Sequence, residues 1–486
     1  MRVALFGVLA LLAASVVSSA EPRDLAGAAR SILGADQGVY VETSSGTVLL
    51  SQAASTPVHP ASVSKVPTTL ALLRKLGPDH RFITTFTAKG RVVNGTLYGD
   101  LIVASDGDPS LVDEDALLVA QRLRQAGISR IAGTLQLTGP LTFDWKTDSD
   151  GVSLRRAMSG LAPPAALAAV RALEVLNSTP PPASTASTAS TASTASTAST
   201  ASTTSVASTA STASTIPTTS TLPIPSTNST PSIPSTTSTV VTPVTSAAAI
   251  AAATGSIAPI GIHFATATGV TTGIAVGQGV VELAGEHPLI VHRSQPLLPL
   301  VKSLNDYSNN IFAPFAEAAG GAAAVETLAR GLVPAEMRSE ITLGDGAGAD
   351  PTNRLSPRVA VRLLRVLEQE LAKTNHALCD ILPVAGIDEG TLHDRLNGPG
   401  EAGHVLGKTG TFGDYGASAL IGAMRTTDLG TVYFAILNHN VPVPQARRRQ
   451  DQFVRFLLSQ LHTIPWSYQR DPRPAITRAE VSIMVP

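Results

Sequence analysis

Pro60-Ala61-Ser62-Val63-Ser64-Lys65 is the stretch from which the rest of the chain can be read. From Ser62 to Leu76 the apolar residues Val63, Val66, Leu70, Leu73 and Leu76 recur at helical spacing, and Gly77-Pro78 ends the pattern, so a helix is predicted to open near Ser62. Pro67 then lies just past the first turn, where a missing N–H is less costly than it would be mid-helix. On a helix, positions i and i+3 share a face, which brings the Lys65 amine within reach of the Ser62 hydroxyl. A lone Ser-x-x-Lys is weak evidence, because ordinary composition supplies about one such match in a chain of this size. Ser308-Asn309-Asn310 and Lys408-Thr409-Gly410-Thr411 follow in that order, and the last leads into strand-prone sequence. Three short motifs in this order are far more specific than any one of them.

The residue types suit nucleophilic catalysis. Ser62 becomes a competent nucleophile if Lys65 takes its proton, which requires Lys65 to be neutral near pH 7. Desolvation and a nearby cation both lower a lysine pKa, and Lys408 is the candidate cation. Ser308 offers a second hydroxyl to relay the proton to a leaving amine, and Asn310 offers an amide for a substrate peptide group. On an extended strand Lys408 and Gly410 point to one side, Thr409 and Thr411 to the other, and the bare Gly410 permits close approach. The backbone N–H groups of Ser62 and Thr411 are candidates for an oxyanion hole. Tyr307-Ser308-Asn309 also fits the Tyr-x-Asn variant of the second motif, one step out of register.

Around these motifs the 486 residues carry a net charge of -1, which gives no sign of a nucleic-acid footprint. Arg2, the apolar run Val3 to Val17, and Ser18 and Ala20 before Glu21 have the layout of a cleavable signal over residues 1–20, predicting export. No later stretch is apolar enough for long enough to cross a bilayer. The single cysteine, Cys379, permits no internal disulfide and reads as a buried helix residue. Val39 to Glu42 and Thr47 to Leu50 flank a turn and form a predicted hairpin. Residues 81–174 read as a small strand-rich domain, with strands at Phe82 to Lys89, Thr96 to Val103 and Thr134 to Leu137 and a helix from Asp115 to Ala126. Residues 175–247 are Ser-Thr-Ala repeats followed by Pro, Ser and Thr, a composition that cannot offset chain entropy and predicts disorder. Asn94, Asn177 and Asn228 sit in N-linked sequons, and the plainer reading of the repeat is an unmodified spacer. Helices are predicted over Leu297 to Ala318, Pro357 to Ala372 and Gln445 to Leu461, and strands over Ala417 to Met424 and Thr431 to Leu437. Arg447-Arg448-Arg449 suggests peripheral contact with anionic lipid or, more simply, a solvated helix face.

Taken together, these stretches resemble the D-alanyl-D-alanine carboxypeptidases/endopeptidases among the low-molecular-mass penicillin-binding proteins, the group with domains inserted between the first two motifs. Besides the motifs, the resemblance rests on Leu76-Gly77-Pro78, Gly107-Asp108-Pro109-Ser110-Leu111, Leu382-Pro383-Val384-Ala385-Gly386 and Gly390-Thr391-Leu392. It implies an α+β fold: a penicillin-recognising, transpeptidase-like domain with one antiparallel sheet flanked by helices, built from residues 21–80 and 295–465. The insert then spans 81–174 and 248–294, and 466–486 form a tail. The roles implied are Ser62 nucleophile, Lys65 base, Ser308 and Asn310 in the second motif, and Lys408 and Thr409, with Gly410 and Thr411, on the substrate carboxylate. The partners implied are peptidoglycan stem peptides and, as covalent inhibitors, β-lactams. Asp345-Gly346-Ala347-Gly348 is similar to the family's Asp-Gly-Ser-Gly, but Ala349-Asp350-Pro351 replaces the Leu-Ser-Arg that follows it. No strand block is recognisable after Trp145.

Other classes find less support. A β-lactamase-like hydrolase shares the acylation residues, but no Glu between Asn310 and Lys408 has an Asn four residues on, the arrangement one major class uses for deacylation. A non-catalytic wall-binding protein with a degenerate insert is the alternative from another class. Asp106 and Asp108 lack the twelfth-position ligand of a calcium loop and read as a turn; no metal or other cofactor is implied.

Overall fold

The computed structural model describes residues 24–178, 260–264, 281–284, 287–308, 311–413, 416–471 and 479–484. The predicted signal and nearly all of the 175–247 segment lie outside the described residues, as do Asn309 and Asn310.

The predicted hairpin forms from Gly38–Thr43 and Val48–Gln52 and joins strands contributed from far along the chain. The sheet runs Val405–Phe412, Ala417–Thr426, Thr431–His439, Gly38–Thr43, Val48–Gln52, antiparallel throughout, with Val41 opposite Phe434 and Lys408 opposite Ile421. Strands buried on both faces read as continuous apolar runs, and Val432 to Leu437 is such a run. On one face, the helices Leu25–Ile32 and Val443–Gln460 bury Leu25, Ala29, Phe453 and Leu457 against Val39, Leu420 and Phe434. Over the other face lie the helices Lys65–Leu76, Leu297–Tyr307 and Pro357–Ala372, whose Leu70, Val301 and Leu363 meet Ile421 and Tyr433. Ser356 caps the Pro357 helix by accepting from the Val359 N–H at 3.3 Å.

A second sheet is built on the hairpin Ile83–Val93 and Thr96–Ser105, joined by Asn94-Gly95, both at positive φ, as a tight type I′ turn demands. Its strands are longer than the predicted ones. The short strands Arg130–Ile131 and Leu135–Thr138 add in parallel, and Ile290–Arg293 adds to Ile83–Phe86. The helix Asp113–Gln125 packs Ala116, Val119 and Leu123 on the sheet, and after Trp145 the described residues up to Ser178 form the two-residue strand Lys146–Thr147 and the helices Val152–Met158 and Pro164–Ser178. Residues 466–486 are more than a tail: Glu480–Ile483 pairs with Ile290–Arg293, and Trp466 packs into the core under the first sheet. Cys379 is buried, in a 3-10 turn where a helix was expected, and burial pushes its thiol up to about 11.

One polar cluster closes this second core. His292 is fully buried between two carboxylates, with Nδ1 3.0 Å from Asp108 and Nε2 3.4 Å from Asp115. Asp108 also accepts from the Ser110 N–H and hydroxyl, while Asp106 accepts from the Ile83 N–H; each has a structural role in a turn. Burial opposes the imidazolium, but Asp115 and Asp108 outweigh it and raise His292 from 6.5 to about 10. Because the folded value lies above the unfolded one, the cluster's contribution to stability is complete below about pH 6.5 and is lost as pH rises through about 10. Denaturant unfolding of wild type and His292→Gln across pH 6–10 is expected to show a gap of about 3–5 kcal/mol at the acid end that narrows with rising pH. A pH-independent gap would exclude the charged cluster.

Candidate active site

Ser62 sits in the 3-10 turn Ala61–Ser64, and the α-helix proper begins at Lys65. This differs usefully from the predicted α-helical start. In a 3-10 turn side chains at i and i+3 eclipse, so the Lys65 amine is held directly over Ser62, donating to its hydroxyl at 2.7 Å. Pro67 becomes the third residue of the α-helix, where its lost N–H has no intrahelical partner in any case. The turn is strained, with Ala61 at φ 49°, and it is braced from three sides. His59 accepts from the Ala61 N–H through Nδ1 at 3.1 Å, which leaves Nε2 as the protonated nitrogen facing the Asp350 carbonyl at 2.9 Å. Its ring stacks on Phe412, and burial lowers its pKa, consistent with a neutral ring. A Cβ on Gly348 would fall 1.9 Å from the Ala61 carbonyl, and one on Gly410 would fall 2.7 Å from the Pro60 carbonyl. Both glycines exist to let the loop and the strand reach the turn.

Lys65 has no exposed surface. Its amine also donates to the Ala347 carbonyl at 2.8 Å, so the Asp345-Gly346-Ala347-Gly348 stretch serves here as a backbone cradle. Asp345 folds that loop by accepting from the N–H groups of Gly348, Ala349 and Asp350. Burial lowers Lys65 to about 7, against the opposing charge of Asp345.

The second and third motifs meet across the cleft. The Leu297–Tyr307 helix stops at Ser308, which takes the left-handed conformation at φ 55°. That break in the predicted 297–318 helical stretch aims the Ser308 hydroxyl at Lys408, whose amine donates to it at 2.8 Å. Lys408 is fully buried and also donates to the Thr409 carbonyl. Its pKa lies well below the usual lysine range, from burial first and then from the charge of Lys65. From the sequence Lys408 is the cation expected to lower Lys65; instead burial lowers Lys65, and Lys408 is itself depressed, with Lys65 the charge acting on it. Asn310 and the alternative Asn309 register fall outside the described residues.

Val405–Phe412 is an edge strand. The Pro383–Ala385 segment pairs with it as far as Gly407, and among the described residues no further backbone covers the edge from Lys408 onward. An extended ligand can dock there by backbone pairing.

Several residues at the site carried no sequence signal of their role. Thr391 shares a hydrogen bond with the Thr409 hydroxyl at 2.9 Å and is anchored by its N–H to the Asp306 carbonyl. Gly390-Thr391 was noted only as part of a longer resemblance. Beneath it Lys302 is buried, 2.5 Å from Asp388 and 3.6 Å from Asp306, and the Tyr468 hydroxyl donates to Asp388 at 2.7 Å. Burial raises Asp306 to about 7, opposed by Lys302.

A family model for the D-Ala-D-Ala carboxypeptidase 3 (S13) family matches residues 25–460. Among curated proteins, the chain is 36% identical over 83 residues to the D-alanyl-D-alanine carboxypeptidase DacB of Haemophilus influenzae, covering 17% of each. It is 33% identical over 97 residues to a D-alanyl-D-alanine carboxypeptidase of Actinomadura sp., 20% of this chain and 18% of that protein. These matches span under a fifth of either relative's length. Among solved structures, the penicillin G acylated Bd3459 predatory endopeptidase of Bdellovibrio bacteriovorus, in complex with immunity protein Bd3460, superposes with a TM-score of 0.59 at 17% identity, over 92% of this chain and 99% of that one. Penicillin binding protein 4 (dacB) of Haemophilus influenzae, complexed with a β-lactam, gives 0.52 at 17% identity over 91% and 100%. At such identities the likeness is one of fold.

Gly410→Ala tests the geometry directly, since its Cβ must push the strand away from the Pro60 carbonyl and Ala61. The variant is expected to fold and to form an adduct with penicillin at least about 10-fold more slowly than wild type, measured by intact mass against time. An unchanged rate would show that the close approach is incidental.

Proposed function

The chain belongs to the D-Ala-D-Ala carboxypeptidase 3 (S13) family, and on that premise we propose that it is an exported serine carboxypeptidase/endopeptidase. In this reading it cleaves D-alanyl-D-alanine-type bonds of peptidoglycan stem peptides through a Ser62 acyl-enzyme and is acylated by penicillin. The observation that carries the reading is the buried amine of Lys65, depressed to about 7, donating to the Ser62 hydroxyl at 2.7 Å. Neutral Lys65 takes the hydroxyl proton as Ser62 Oγ attacks the scissile carbonyl. The N–H groups of Ser62 and Thr411 receive the developing oxyanion. As the tetrahedral adduct collapses, Ser308, hydrogen-bonded to Lys408, gives its hydroxyl proton to the leaving D-alanine amine and takes up in its place the proton that Lys65 removed from Ser62. Lys65, neutral again, then accepts a proton from the water that hydrolyses the ester. Asn310 is assigned to the substrate peptide group, and Lys408, Thr409, Gly410 and Thr411 to the strand and carboxylate end of the substrate.

We assign residues 21–80 and 295–465 to the catalytic domain, 81–174 and 248–294 to the insert, and 175–247 to a spacer. Residues 1–20 are read as an export signal, which places the enzyme in the periplasm or cell envelope. Among the described residues no helix is long and apolar enough to cross a membrane.

Incubation with penicillin is expected to add its full mass to wild type and nothing to Ser62→Ala; a full adduct on the variant would place the nucleophile elsewhere. Lys65→Met is expected to slow acylation by several orders of magnitude. Because the base works in its neutral form and its pKa is lowered to about 7, the wild-type acylation rate should climb as pH rises through about 7 and then level off. A profile flat between pH 5 and 9 would remove Lys65 as the base. Defined muropeptides then separate carboxypeptidase from endopeptidase products.

A further inference from the structure

The proposed substrate ends in a free carboxylate, and the residues assigned to it leave its charge unmatched. Lys408 has no exposed surface, its amine is engaged by Ser308 and by the Thr409 carbonyl, and its pKa is depressed. The Thr409 hydroxyl is engaged by Thr391. A cation does stand at the far end of the same strand. Arg447, on the exposed side of the Val443–Gln460 helix, donates through NH2 to the Thr411 hydroxyl at 2.9 Å.

Its neighbours leave that cation available. Asp451, one helical turn on, is held by Arg395 at 2.6 Å, and among the described residues no carboxylate lies within ion-pair distance of Arg447. Partial burial and then the charge of Arg395 weigh against its ionised form, only partly offset by Asp451, and an incoming anion relieves that cost. Hydroxyl arithmetic points the same way. Thr411 has one O–H and two lone pairs; with Arg447 donating to a lone pair, the O–H is free to point at an acceptor outside the strand. Thr411 follows Gly410, whose face abuts Ala61 beside Ser62, and both lie on the edge strand Val405–Phe412, so the Thr411 hydroxyl stands one residue along the edge from the turn that carries Ser62.

We propose that Arg447, together with the Thr411 hydroxyl, binds the free C-terminal carboxylate of the peptide substrate and the equivalent carboxylate of penicillin, and so sets the preference for chain ends. This deepens the acyl-enzyme reading above and rests on it. Arg447 acts on affinity and selection, leaving proton transfer to Lys65 and Ser308.

The test compares an N-acylated tripeptide ending in D-Ala-D-Ala with its C-terminal amide, using the full chain. Arg447→Gln is expected to reduce the ratio of kcat/KM for acid over amide by about 10- to 100-fold, mostly through KM. Arg447→Lys should recover part of that ratio, since it keeps the charge but not the planar fork. Arg448→Gln, one position away on the helix, should leave the ratio as in wild type. A ratio within twofold of wild type in Arg447→Gln would overturn the proposal, as would an equal loss in Arg448→Gln, which would mean a diffuse field and no binding group. Absence of any penicillin adduct on wild-type Ser62 would instead overturn the parent reading, and this inference with it.

Discussion

Keeping the Lys65 amine out of water is the constraint on which the rest of the site depends. An ammonium at zero exposure is costly, and its cost falls most simply by losing the proton, which is the state a base needs. The surroundings enforce this without abolishing polarity: a hydroxyl, a backbone carbonyl, and the ring of Phe312 with its centroid 5.8 Å away. Asp345 pulls in the opposite direction from the neighbouring loop, and Lys408 is pushed further down by Lys65 itself. Two buried lysines that share one cleft cannot both stay charged.

Such a site must be assembled from distant segments, because no single element can bury a lysine from every side. The turn that carries Ser62 comes from the N-terminal part of the chain, the cradle from the loop around Ala347, and the strand and Ser308 from further elements. Their convergence is limited by backbone thickness. Gly348 and Gly410 meet that limit by omitting a side chain where carbonyls of the Ser62 turn already stand.

Side chains that hydrogen-bond directly to one another were legible in the sequence, since the pairs Lys65 with Ser62 and Lys408 with Ser308 depend on those residue types. Groups acting through the backbone were not. The Ala347 carbonyl and the His59 brace could be supplied beside many other residues, so composition and spacing say nothing of them. Long-range pairs were hidden for another reason: nothing local ties Arg447 to Thr411, or Lys302 to Asp388 and Tyr468. In the fold, periodicity located the long helices and the buried strands, and the Pro357 helix has the bounds its pattern predicted. Two-residue strands such as Arg130–Ile131 carry too few residues for a period. Asn94 was noted as a sequon, whereas its pairing with Gly95 is what turns the hairpin.

The strand Glu480–Ile483 has a consequence for how the protein is made and kept. It covers one side of Ile290–Arg293, whose Ile290 and Val291 are buried. During synthesis that side stays bare until Glu480–Ile483 has emerged, well after its other neighbour, Ile83–Phe86. An unpaired apolar edge is a template for pairing with another chain. Loss of Glu480–Ile483 would restore the same bare edge in a finished molecule while leaving every described group around Ser62 in place, so that solubility is lost before chemistry.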